Sequence, residues 1–116
     1  FEGFGDAMRG RDAIEALYAR TTRRYEDGTP RTKHVMTNVI VDVAGEGAGE
    51  GATASSRSYF TVLQAVPGEL ALQPVIAGRY RHGYEWADGH WRVTSMHIMI
   101  DLMGDLGHHM LFDLAP

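Results

Sequence analysis

Beyond Pro30 the chain is broken at only three places, and the pieces between the breaks are long. Gly45-Glu-Gly-Ala-Gly-Glu-Gly51 is a low-complexity loop, Pro67-Gly68 is a turn dipeptide, and Asp88-Gly89 is a hairpin signal. The stretches they separate, 33–43, 52–66, 72–86 and 91–101, carry the β-branched and aromatic residues that suit a pleated surface. Successive long strands joined by short connections predict an antiparallel meander.

What precedes the strands reads differently. Residues 1–10 are Gly-rich and irregular. From Arg11 to Arg24, Ala13, Ile14, Leu17 and Tyr18 recur at helical spacing, with Asp12 and Glu15 early and Arg20, Arg23 and Arg24 late, as the helix dipole favours. Glu26 to Pro30 ends the helix. The expected fold is therefore α+β, a strongly curved antiparallel sheet forming a cone with helices over its concave face. One helix cannot cover four long strands. Further helices before Phe1, a second copy packed on the sheet, or both, are expected; the lack of an initiator methionine fits a chain whose first helices are missing.

The chain of 116 residues is read as one domain, 1–116, with 44% hydrophobic and 22% charged residues. Its formal net charge of −4, with both signs interspersed, argues against a nucleic-acid surface. No apolar run approaches the roughly 20 residues that span a bilayer, and no secretory signal is visible, so no membrane partner is expected. Cysteine is absent, which excludes disulfides and thiolate metal sites and is compatible with a cytoplasmic location.

Strict alternation along 33–43 places Val35, Val39, Val41 and Val43 on one face and His34, Met36, Asn38, Ile40 and Asp42 on the other. The second face mixes apolar groups with an imidazole and an amide, as a small-molecule pocket does. His34 is the candidate general acid/base, because imidazole exchanges protons near neutrality; the alternative is a satisfied core histidine. Asn38 lies roughly 13 Å along the strand, where it would bond a ligand carbonyl or a loop backbone. Asp42, roughly 26 Å away, is out of reach of His34. The valine face is the expected contact of a homo-oligomer, dimer or trimer, through the sheet.

Phe60 shares a face with Val62 and Gln64, opposite Tyr59, Thr61, Leu63 and Ala65. Tyr80 and Tyr84 share a face with His82 and Trp86, as ligand donors or as core aromatics. His97 falls in phase with Trp91, Val93, Ser95 and Met99, and lines the pocket if that face is concave. Met36 suits a plastic hydrophobic pocket. The His108-His109 pair lacks a third metal ligand at a convincing spacing and reads as a terminal surface pair. The glycine loop has no Lys-Ser/Thr and precedes a strand, so it is no phosphate cradle.

Gly10-Arg-Asp-Ala-Ile14, His34-Val-Met-Thr-Asn38, Ala77-Gly-Arg-Tyr80, Asp88-Gly-His-Trp-Arg-Val93 and Gly104-Asp-Leu106, in that order, resemble the SnoaL-like branch of the nuclear-transport-factor-2-like superfamily over nearly the whole chain. The resemblance implies a hydrophobic ligand held between the sheet and the helices. It also implies a strand histidine, here His34, paired with an aspartate from a first helix that has no counterpart here. A cofactor-free dehydratase or isomerase with His34 as catalytic residue and Met36, Asn38, Phe60, Tyr80 and His97 around the ligand is the leading expectation. A non-catalytic binding domain, or a structural subunit like the small subunit of a dioxygenase, is the alternative on the same fold.

Overall fold

The computed structural model describes residues 1–3, 5–45 and 49–112. One helix, α1 (Arg11–Thr21), precedes four strands: β1 (Thr32–Ala44), β2 (Thr53–Val66), β3 (Leu70–Ala87) and β4 (His90–Met103). The strands pair antiparallel in chain order, β1-β2-β3-β4. The fold is thus the expected α+β meander, with few helices. Asp88 and Gly89 both take positive φ, 54° and 82°, as a two-residue hairpin with the right-handed twist of its strands requires. The Gly45–Gly51 loop lies partly outside the described residues.

The two faces of the sheet are set by β2. Ser56, Ser58, Phe60, Val62, Gln64 and Val66 are buried, while the residues between them are exposed or half-buried. The buried side, here the inner face, carries the core: Phe60, Val62, Val66, Leu70, Val75, Ile76, Ile98 and Leu106, with Tyr25, Tyr80, Ile100 and Met110 packed against it. A close approach tightens it at Gly78. A Cβ there would collide with the Met99 carbonyl and meet the Phe60 ring at 3.0 Å, so only glycine lets β3 and β4 close under that ring.

No residue of α1 is buried, and Ile14 and Tyr18, half of its apolar stripe, are exposed. The helix also ends three residues before the expected Arg24, because Thr22 turns extended and enters a bridge with Met110. The inner face is instead capped by the chain on either side of the sheet. Arg23 N–H donates to the His109 carbonyl at 2.8 Å, and Leu111 N–H donates to the Thr21 carbonyl at 2.9 Å.

Three register shifts interrupt the outer ladders, and two of them overturn the expected alternation. In β1, Thr37 pairs with Tyr59 and Ile40 with Arg57, so Asn38 and Val39 together face Ser58. Asn38 takes φ 54°, a conformation asparagine tolerates better than most residues. Because the side-chain period of a strand is two, this extra residue reverses the faces beyond it. His34 and Met36 share the inner face with Val41 and Val43, which oppose Ser56 and Ala54. Ile40 and Asp42 point to the outer face with Val35. The single valine face expected as a subunit contact therefore does not form. In β4, Gly83 pairs with Ser95 and Tyr84 with Val93, leaving Thr94 extra. Trp91 and Val93 lie on the inner face, whereas Ser95, His97 and Met99 lie on the outer one. The third shift sits at Ala77/Gly78, where Asp101 is extra.

Among the described residues, no helix is long and apolar enough to cross a membrane.

Candidate functional site

The inner face brings together a row of aromatic and polar side chains from three strands. Met36, Phe60, Gly78 and Ile100 are successive cross-strand partners, and Ser58, Tyr80 and Ile98 form the next row. The Phe60 and Tyr80 rings stack with centroids 4.3 Å apart, Tyr80 meets His82 at 5.2 Å, and His82 meets Tyr84 at 5.9 Å. The expectation that Tyr80, His82 and Tyr84 share a face holds. The ladder is anchored at one end by a 2.8 Å hydrogen bond between the Ser56 and Tyr84 hydroxyls.

His34 stands at the β1 edge of this face, opposite Val62. By area it is exposed, yet enough protein surrounds the ring for desolvation to lower its pKa below the ordinary histidine range. Among the described residues no carboxylate forms an ion pair or a hydrogen bond with it. His34 acts in turn on another imidazole. His109 is 8% exposed, and burial first, then the proximity of His34, lowers its pKa. The reading of His108-His109 as a surface pair is thus corrected for His109. Residues 106–110 form a turn in which His109 N–H and Met110 N–H both donate to the Leu106 carbonyl, which carries Leu106, His109 and Met110 onto one side. The spacing of those three residues was the available sign.

Gln64, 1% exposed, locks this turn in place. Its amide nitrogen donates to the Pro30 carbonyl at 3.1 Å and to the His108 carbonyl at 2.9 Å. The Tyr25 hydroxyl donates to the same His108 carbonyl. The turn that presents His109 is therefore held from β2 and from the segment that follows α1.

Several buried polar atoms lack a partner, among them Ser58 Oγ, His82 Nδ1 and His109 Nδ1. Unsatisfied buried groups are costly, and Ser58 and His82 place two of these atoms in neighbouring rows of the inner face. His82, like His34, has its pKa lowered by desolvation. Tyr80 moves the other way: burial, with a smaller contribution from Tyr18, raises its pKa and keeps the phenol protonated. Neutral imidazoles and a protonated phenol thus share one surface.

The remaining sequence candidates fall elsewhere. Asn38 sits in the β1 bulge and lines a groove on the outer face with Tyr59 and Arg79. His97 also lies on the outer face, opposite Arg81, with Nε2 3.0 Å from a Glu2 carboxylate oxygen. Neither joins His34. Met36, Phe60 and Tyr80 do. Among the described residues no group of three or more His, Cys, Asp or Glu is placed to hold a metal.

The chain is thus an α+β meander with a polar, aromatic inner face. The SnoaL-like domain profile matches residues 1–97, and the chain belongs to that family, within the nuclear-transport-factor-2-like superfamily. The matched span contains His34 and Tyr80 and stops short of His109. No curated protein and no solved structure gives a significant match to the chain.

Proposed function

We propose that the inner face binds a hydrophobic, oxygenated small molecule and that His34 acts on it as general acid/base, in a cofactor-free dehydration or isomerisation. The observation that supports the reading is the placement of His34, Met36, Phe60 and Tyr80 on one face of the sheet, with His34 neutral and able to accept a proton and the Tyr80 phenol protonated and able to donate a hydrogen bond. The two backbones are roughly 16 Å apart by strand geometry, so the side chains address two ends of one ligand rather than one atom. Met36 and the stacked Phe60 supply apolar contact between them. In a syn elimination His34 takes the proton from the C–H carbon as the adjacent C–O bond breaks. The leaving hydroxyl then collects that proton from the imidazolium and departs as water. Tyr80 donates to the carbonyl oxygen that gathers negative charge as the proton leaves.

A second reading, a binding domain without turnover, is favoured by one feature: no described carboxylate orients the His34 ring. Native mass spectrometry of the purified protein identifies the co-purifying ligand, and His34→Gln then separates the readings. The enzymatic reading expects turnover to fall by at least about a hundredfold, in the range for loss of a general acid/base, with ligand still bound. Unchanged turnover removes His34 from the chemistry; binding with no turnover in either protein favours the second reading.

A further inference from the structure

We infer that the outer face carries a second site, for a small soluble anion bearing a phosphate or carboxylate group, with Arg57 and Arg81 as its binding residues. These two arginines are direct cross-strand partners, and His97 follows Arg81 in the same row on β4. Like charges directly opposite on a sheet repel, so the arrangement favours a counter-charge between them. Among the described residues no acidic side chain pairs with Arg57 or Arg81. Two acids of this face are engaged: Asp101 holds Arg79 through two hydrogen bonds of 2.9 Å, and Glu2 sits against His97; Asp42, two residues along β1 from Arg57's partner Ile40, forms no ion pair with either arginine.

The surface between the arginines is concave. A groove of about 310 Å³ runs there, lined by Arg57, Arg81, Arg79, Tyr59, Asn38 and Met99. The β1 bulge, with Asn38 in its left-handed conformation, brings the asparagine to this groove. The site thus offers two planar guanidinium forks suited to oxyanions, an amide and a phenol, over the buried Met99 side chain. The charge is local, since the chain as a whole carries −4 and repels anions at long range. Ile40, Ser58 and Tyr80 complete the lining of the groove; the last two belong to the His34 face, so the groove adjoins that face across the sheet while its arginines stand on the outer side.

A titration of the isotopically labelled protein with inorganic phosphate, at ionic strength held constant with chloride, tests this by amide NMR. Saturable shifts are expected at residues 38–40, 57–59 and 79–81. Arg57→Gln and Arg81→Gln should each weaken binding at least tenfold while leaving the melting temperature unchanged or raised, because repulsion is relieved. Arg81→Lys, which keeps charge without the fork, should weaken it less. A parallel titration with succinate separates the sources: saturable binding of either anion supports the site, and the tighter one names the group. Shifts that never saturate, or that are the same in Arg57→Gln, overturn the proposal. So does an absence of anion binding combined with self-association that Arg57→Gln abolishes, which would assign the groove to an acidic side chain of a second copy.

Discussion

Gln64 does with one amide what a longer element would otherwise do. Its nitrogen satisfies the Pro30 carbonyl and shares the His108 carbonyl with the Tyr25 hydroxyl, and it ties β2 to both the Pro30 segment and the His109 turn. Gln64→Leu keeps a side chain of similar size but strands the Pro30 carbonyl, at about 1–3 kcal/mol, while the His108 carbonyl keeps the Tyr25 hydroxyl. The lower half of that range is expected, because the substitution also removes the glutamine's own unpartnered oxygen. Urea unfolding measures it. The desolvated imidazoles make a second residue-scale prediction. In the unfolded chain histidine titrates near ~6.5. In the folded protein His34, His82 and His109 all titrate lower. Between those values the unfolded chain binds more protons, so the stability is complete above ~6.5 and is lost as pH falls through 6.5 toward the folded values. The urea midpoint should therefore drop between pH 7.5 and 5.5, and drop less in His109→Gln. An equal drop in both proteins would show that His109 is not held neutral. The lowered pKa of Asp27 acts in the more acidic carboxylate range and does not confuse this window.

At the scale of elements, the bulge at Asn38 decides which side chains accompany His34. Asn38→Gly should leave stability within a few tenths of a kcal/mol, since glycine accepts positive φ, whereas Asn38→Val should cost about 1–2 kcal/mol. Thermal unfolding of the two variants checks this; equal values would mean that the left-handed conformation is not required. The same bulge explains what could be read in advance. The Asp88-Gly89 hairpin, the Pro67-Gly68 turn and the β2 alternation follow from local chemistry, and the sequence carries that chemistry openly. Bulges do not announce themselves in this way. A strict period of two carried Ile40 and Asp42 to the side of His34, and His97 to the side of Trp91, because a single extra residue in each strand has no marker beyond a side chain tolerant of positive φ. Asn38 was such a marker; Thr94 was not. His109 was hidden for another reason. Its burial depends on a turn after β4 packing against a segment some eighty residues earlier; the spacing of Leu106, His109 and Met110 marks a one-sided turn but not what covers it.

Taken whole, the molecule is a four-stranded sheet with two chemically distinct sides. The inner face joins an apolar core to three imidazoles and a protonated phenol. The outer face is charged, with cations arranged in rows. Family membership places the chain among small-molecule-binding folds, and the register assigns each strand histidine to a side. The most direct measurement follows the ring C–H resonances of the six histidines by NMR while the protein is titrated with a steroid ketone as hydrophobic probe. His34, His82 and His109 should shift together and saturably, while His97 on the outer face and His90 at the hairpin stay unmoved. Movement of His97 with a static His34 would contradict the account.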